Sequence, residues 1–352
     1  MAPPSTDVDV DIRQVGRLGR ITLNRPRTIN ALTLGMVRAI HDALERFAAA
    51  DEITTVLIDG AGDRGLCAGG DMRAVYDAIR ANEPTAREFF REEYRMNARL
   101  ARFAKPIVAF MDGIVMGGGV GVSAHASIRI VTERSVVAMP ELDLGFFTDV
   151  GATWLLSRAP GELGTHAALT SARLGAADAI ACGLADFSVP SETLADLVEA
   201  FAERDPRTVV GAISREVGDP ASSALLAHAE WIDACYAAGS VEEVLDRLHR
   251  SPSDAAHRAA AEIATKSPTS TKVTFRALRE ARSLPSLEAC LDAEFRLACT
   301  FLETADLLEG IRAVLIDKDR QPHWQPPTLR AITDDTVKAF FAHRADELHL
   351  AG

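Results

Sequence analysis

Two short glycine clusters are the residues of this chain best suited to chemistry: Gly69-Gly70 in the run Cys67-Ala68-Gly69-Gly70-Asp71, and Gly117-Gly118-Gly119 between Met116 and Gly121. Each stands at the start of a helix-patterned segment, where the first backbone N–H groups lack a carbonyl partner and carry the positive end of the helix dipole. With no Cβ in the way, a ligand can approach such a backbone closely. Two N–H groups converging on one oxygen would stabilise the oxyanion of an acyl transfer or an enolate. Gly119-Val120-Gly121-Val122-Ser123-Ala124 also satisfies the G-x-G-x-x-A pattern of dinucleotide folds. In those folds the first glycine follows its strand directly, whereas here Gly113-Ile114-Val115-Met116 intervenes, which disfavours the nucleotide reading. A pair of tight turns is the plainer alternative.

Carboxylates supply the next candidates. Glu141 follows Pro140, and Asp149 stands eight residues on, ahead of Val150-Gly151-Ala152. Either can serve as a general base or a nucleophile. The alternative for Asp149 is to N-cap the following helix, and a surface ion pair is the ordinary fate of a glutamate. Glu93 falls in a charged helical stretch from Glu83 to Phe103. His125 reads as a packed core histidine. Ser123 and Ser157 lack a G-x-S-x-G elbow, and Cys67 has no activating base nearby in sequence, so packing is its expected role. The five cysteines, Cys67, Cys182, Cys235, Cys290 and Cys299, contain no C-x-x-C pair, so neither a disulfide framework nor a metal site is expected.

The elements that must position these residues follow from periodicity. Val8–Ile12 and Gly19–Leu23 predict a hairpin through Gly16. Thr33 is set to cap a helix that buries Met36, Val37, Ile40, Leu44 and Phe47. Strands at 55–58 and 107–111 each lead into one glycine cluster and then a helix, so the same layout occurs twice. Strand-like runs at 128–131 and 135–138 come next, and helices dominate beyond Gly151. The expectation is an α/β fold with a helical C-terminal region, divided into a core with the active site at 1–190 and a helical region at 191–352. Of the 352 residues 47% are hydrophobic, enough for a large core, and the net charge of -12 argues against a nucleic-acid partner. The first residues show neither a basic nor an apolar leader region, and no apolar run reaches spanning length, so a cytoplasmic protein off the membrane is expected.

Taken together, Cys67–Asp71, Lys105–Ala109, Asp112–Gly119, Pro140-Glu141, Ala176–Ala185 and Glu309–Lys318 closely resemble the ordered signatures of the crotonase (enoyl-CoA hydratase/isomerase) superfamily over nearly the whole chain. The resemblance implies a spiral of ββα units and an acyl-CoA substrate, with coenzyme A part of that substrate and no separate cofactor. It places the oxyanion N–H groups on Gly70 and Gly118, the backbone around Cys67, Ala68 and Gly69 against the adenine and pantetheine, and Glu93 toward the acyl pocket. It also implies a homo-oligomer, commonly a trimer or a multiple of one. Hydratases of the superfamily use two glutamates; here Gly121 stands at the first position and Glu141 keeps the second. Phe89–Tyr94, the Glu141/Asp149 pair, Lys266–Ser270, Arg312–Asp319 and Pro322-His323-Trp324 are similar to the branch that hydrolyses 3-hydroxyisobutyryl-CoA in valine breakdown. That resemblance implies hydrolysis of a short 3-hydroxyacyl-CoA thioester, with Glu141 and Asp149 as the catalytic pair. Hydration or isomerisation through Glu141 alone, and acyl-CoA binding without turnover, are the alternatives.

Overall fold

The computed structural model describes residues 8–214 and 222–351; the first seven residues, read above for a leader, lie outside them. The chain opens with the expected hairpin, β1 (Val10–Val15) and β2 (Leu18–Leu23), paired antiparallel. β1 starts two residues later than the alternation suggests and ends later too, because Val15 pairs with Leu18 and leaves a two-residue turn in which Gly16 takes φ +56°. Thr33 caps α1 (Leu34–Ala49) by accepting from the Met36 N–H at 3.2 Å, and the five apolar residues named above are all buried. Then follow β3 (Thr55–Gly60), α2 (Met72–Arg80), α3 (Thr85–Ala101), β4 (Ile107–Met111), β5 (Ile114–Met116), α4 (Gly118–Ser123), β6 (Ile128–Val131), β7 (Val136–Ala138), α5 (Ala152–Leu156), α6 (Leu163–Thr170), α7 (Ala176–Ala181) and β8 (Phe187–Ser188).

The main sheet has the order β1-β2-β3-β4-β6-β8, parallel throughout except for the first pair. β4 is buried on both faces, as parallel strands covered by other layers are. β5 and β7 leave this sheet and pair with each other in a second parallel layer, where Cys67 forms a bridge to Val115. Each pass of the chain therefore gives one strand to the large sheet, a short one to the small layer, and then a helix. This is the spiral of ββα units expected above.

The second layer brings the two glycine clusters side by side. Gly65 bridges Gly113, and a Cβ on Gly65 would overlap the Ile114 nitrogen, while one on Gly113 would lie 2.7 Å from the Gly65 Cα. Only two bare backbones pack this closely, and their contact aligns the 65–70 loop with β5.

Beyond β8 the chain is helical: α8 (Leu194–Phe201), α9 (Pro206–Ile213), α10 (Ala229–Tyr236), α11 (Val241–Arg250), α12 (Asp254–Thr265), α13 (Pro268–Ala281), α14 (Leu287–Phe301), α15 (Ala305–Ile311) and α16 (Asp334–Phe340). One buried apolar cluster runs from Val10 through the 107–111 strand to Phe301 and Leu348, so the C-terminal helices share the core that supports the sheet. α14 lies along α3, with the Phe295 ring edge-on to Tyr94 at 6.4 Å. No helix of the described residues is long and apolar enough to cross a membrane.

Candidate active site

The 69–70 turn and the start of α4 meet at the base of a cleft. Leu32 donates to the Gly69 carbonyl at 2.9 Å and accepts from the Asp71 N–H at 2.8 Å, so the residues on either side of Gly70 are engaged and the Gly70 N–H faces away from Leu32. Gly117, at φ +51°, turns the chain so that Gly118 becomes the first residue of α4. Among the described residues neither Gly70 nor Gly118 donates its N–H to a backbone carbonyl. The two nitrogens are neighbours: a Cβ on Gly118 would lie 3.3 Å from the Gly70 nitrogen. Gly119 completes the close approach, since a Cβ there would overlap the Cys67 carbonyl. Two free, adjacent donors at a helix start form the geometry that stabilises a developing oxyanion.

Glu93, Glu141 and Asp149 line this same cleft together with Ala68, Gly69, Gly70 and Gly118, and Phe89, Phe90 and Phe146 form an apolar wall. Phe90 and Phe146 stack with centroids 5.1 Å apart. All three carboxyls are buried. Glu93, from the middle of α3, hangs over Gly118, its Oε1 2.5 Å from where a Cβ on that glycine would stand. Glu141 starts a short 3-10 turn and faces Gly117 in the same way, at 2.7 Å. Among the described residues Glu93 Oε1 and Glu141 Oε2 have no hydrogen-bond partner. Asp149 does not cap α5, whose N-cap is Gly151; its Oδ2 accepts from the Tyr94 hydroxyl at 2.6 Å.

Burial sets the charge of this trio. It pushes Glu93 and Glu141 well above the ordinary carboxylate range, and the nearby Asp149 charge pushes both further. Burial also raises Asp149, to about 7, against the lowering by the Tyr94 hydroxyl. Three carboxyls so close do not all ionise together, and the one that receives a hydrogen bond ionises most readily. Asp149 is therefore the first to carry charge.

Position 121 shows why the familiar pair of glutamates is absent. A Cβ on Gly121 would stand 2.9 Å from Asn97 Nδ2 and 2.9 Å from Val150 Cβ, so the space is already filled. Asn97 is fully buried, one helical turn beyond Glu93 on the same face of α3. Sequence reasoning missed Asn97 and the role of Tyr94. The i, i+4 spacing of Glu93 and Asn97 within a helix otherwise rich in half-buried arginine was the available signal.

Other candidates fall where packing puts them. His125 is a buried core histidine whose Nε2 meets the Val150 carbonyl at 2.7 Å, and burial lowers its pKa to about 4. Lys266 pairs with Asp143 at 2.6 Å, and Ser267 donates to Asp306 at 2.6 Å, so the Lys266–Ser270 run ties α13 to neighbouring elements rather than entering the cleft. Near the loops that carry the glycine turns and the C-terminal end, Arg25 is held by Asp71 at 3.1 Å and by the Ala31 carbonyl, whereas Arg27, Arg64 and Lys318 are exposed. Among the described residues no group of His, Cys, Asp or Glu is arranged to hold a metal. Ala68 is exposed at the cleft mouth, while Cys67 behind it is buried, its thiol pushed up to about 12. All five cysteines are free and buried. The thiolate is the reactive form, so the native protein should give no thiol titre with an aromatic disulfide within minutes, and all five groups should appear on denaturation. A rapid native titre would show that the core opens around at least one of them.

The comparisons with known proteins bear on the family and the fold. The enoyl-CoA hydratase/isomerase family model matches residues 18–341. The mitochondrial 3-hydroxyisobutyryl-CoA hydrolase of Xenopus tropicalis is 39% identical over 343 residues, covering 94% of this chain and 88% of that protein. The human protein of the same name is 38% identical over 341 residues, covering 95% and 88%. Among solved structures, a carnitinyl-CoA dehydratase from Mycobacterium thermoresistibile superposes with a TM-score of 0.93 at 44% identity, covering 98% of this chain and 99% of its own. An enoyl-CoA hydratase from Rhodobacter sphaeroides gives 0.88 at 39%, covering 95% and 97%. These names span hydrolase, dehydratase and hydratase, but the family model and all of these relatives match across most of the chain: the chain belongs to the enoyl-CoA hydratase/isomerase family of the crotonase superfamily.

Proposed function

We propose that this chain is an acyl-CoA thioester hydrolase acting on a short 3-hydroxyacyl-CoA, 3-hydroxyisobutyryl-CoA of valine breakdown being the substrate its relatives' names suggest. One observation carries the choice of reaction: position 121 is packed shut by Asn97 and Val150, while Glu141 and Asp149 converge beside the two free N–H groups. Syn-hydration by the family's pair of glutamates lacks the one at position 121, which is glycine here. Hydrolysis needs only a polarised carbonyl and a delivered oxygen. The thioester oxygen lies between the Gly70 and Gly118 N–H groups, and these contacts strengthen as the carbonyl becomes tetrahedral. Ionised Asp149 takes up the Glu141 proton, and Glu141 then delivers the nucleophile, either by taking a proton from the water that attacks the carbonyl or by attacking it directly; as the C–S bond breaks the sulfur takes the proton from Asp149, and in the direct route a water then splits the resulting anhydride to give the free acid and Glu141. Asp149, oriented by Tyr94, carries the charge that assists the proton movements. Glu93, with a free buried oxygen above Gly118, offers an acceptor that suits a 3-hydroxyl group and has no use on a plain alkyl chain.

Two assays on the same protein separate the readings. Thiol release from 3-hydroxyisobutyryl-CoA, followed with a chromogenic disulfide, is the expected activity. The second reading, hydration, is favoured by the names of the solved relatives, and it would appear as loss of enoyl-thioester absorbance. Absorbance loss without thiol release would overturn hydrolysis in favour of hydration, and tight binding with neither signal would leave a binding protein.

A further inference from the structure

The turn that carries Asp149 adopts a conformation its sequence does not favour. Val150 lies at φ +54° and Gly151 at φ +76°. A β-branched residue rarely enters the left-handed region, so the surroundings must hold it there. Neutral His125 meets the Val150 carbonyl at 2.7 Å on one side. On the other side Glu294, from the middle of α14, accepts from the Gly151 N–H at 2.6 Å through Oε2 and from the Thr153 hydroxyl through Oε1. Cys290, one turn earlier on the same helix, lies 3.0 Å from that hydroxyl. Glu294 is 1% exposed, and among the described residues no Lys, Arg or His pairs with it. Leaving a carboxyl in the core without a cation is costly unless its hydrogen bonds require it. Here its two oxygens are committed to Gly151 and Thr153, just beyond Asp149-Val150.

We infer that Glu294 is a positioning residue for Asp149, fixing from the C-terminal helices the left-handed turn that aims the Asp149 carboxyl into the cleft. This rests on the reading of Asp149 given above. Glu294 does not line the cleft, and its hydrogen bonds go to the turn.

The test uses the full chain and 3-hydroxyisobutyryl-CoA. Glu294→Leu removes both acceptors at similar volume and should lower kcat roughly 100-fold, the scale on which small misplacements of a reacting group act, with KM changed by no more than about threefold. Glu294→Gln keeps an acceptor for the Gly151 N–H and should recover kcat to within about tenfold of the parent. If Glu294→Leu fails to fold, Thr153→Val against Thr153→Ser makes the same comparison, the serine keeping its hydroxyl. Combined with Asp149→Asn, Glu294→Leu should add less than about twofold, because both changes disable one unit. A parent-like kcat in Glu294→Leu, or losses that multiply in the double variant, overturns the inference and leaves the reading of Asp149 standing. A parent-like kcat in Asp149→Asn overturns that reading and the inference with it.

Discussion

Glu141→Gln should release thiol from 3-hydroxyisobutyryl-CoA roughly 10²–10⁴ times more slowly than the parent, the range associated with loss of a positioned base, while binding of the coenzyme A moiety stays within a few-fold. The amide keeps the size and shape of the side chain above Gly117 but neither takes a proton from water nor attacks a carbonyl. Unfolding is not an alternative explanation for such a loss. Burial raises the Glu141 carboxyl in the folded state above its value in an unfolded chain. A raised carboxyl leaves full stability at low pH and loses it as pH rises through the folded value. The neutral glutamine escapes that loss, so the variant should be at least as stable as the parent above pH 7. Single-turnover thiol release and a denaturant titration at pH 8 check the two halves. Undiminished thiol release would remove Glu141 from the mechanism.

Gly121→Glu, which restores the residue pattern of a two-glutamate hydratase, should fail to create one. The new Cβ alone would stand 2.9 Å from both Asn97 Nδ2 and Val150 Cβ, before any carboxyl is placed. Overpacking of a filled core costs about 1–3 kcal/mol. A further buried carboxyl beside Glu141 and Asp149 adds to this, because nothing cationic lines the cleft to pair with it. Displacing Val150 also disturbs the turn that carries Asp149. The expected variant is destabilised by several kcal/mol, with thiol release down at least roughly tenfold and no loss of enoyl-thioester absorbance above background. A well-folded Gly121→Glu protein that hydrates an enoyl thioester would mean that the cleft differs from hydratases by this one residue, and the packing argument would be wrong.

These expectations show which parts of the site local sequence can carry. Thr33 announces its helix because a cap and its helix lie three residues apart, and the glycine clusters announce their turns because glycine's freedom is a property of the residue itself. The position of Gly121 was legible as an absence. What fills that absence was not: Asn97 reaches it from a helix 24 residues earlier, and no short-range pattern ties the two. For Asp149 the cap stayed open as an alternative to the cleft because the sequence before α5 permits both. The Tyr94 hydroxyl, 55 residues away in sequence, decides the matter in space. The hairpin was found but misplaced by two residues at its start, since register is set by pairing across the turn and not by alternation within one strand.

The bond between Gly151 and Glu294 spans 143 residues. On a ribosome adding roughly 5–20 residues per second, both glycine turns and all three cleft carboxyls emerge about 7–30 seconds before the side chain that anchors the Asp149 turn. Through that interval the nascent chain holds every reacting group and lacks the part that aligns them. Its chemistry is thus tied to the completion of translation, since a chain ending short of α14 would lack both that anchor and part of the core that the C-terminal helices share with the sheet.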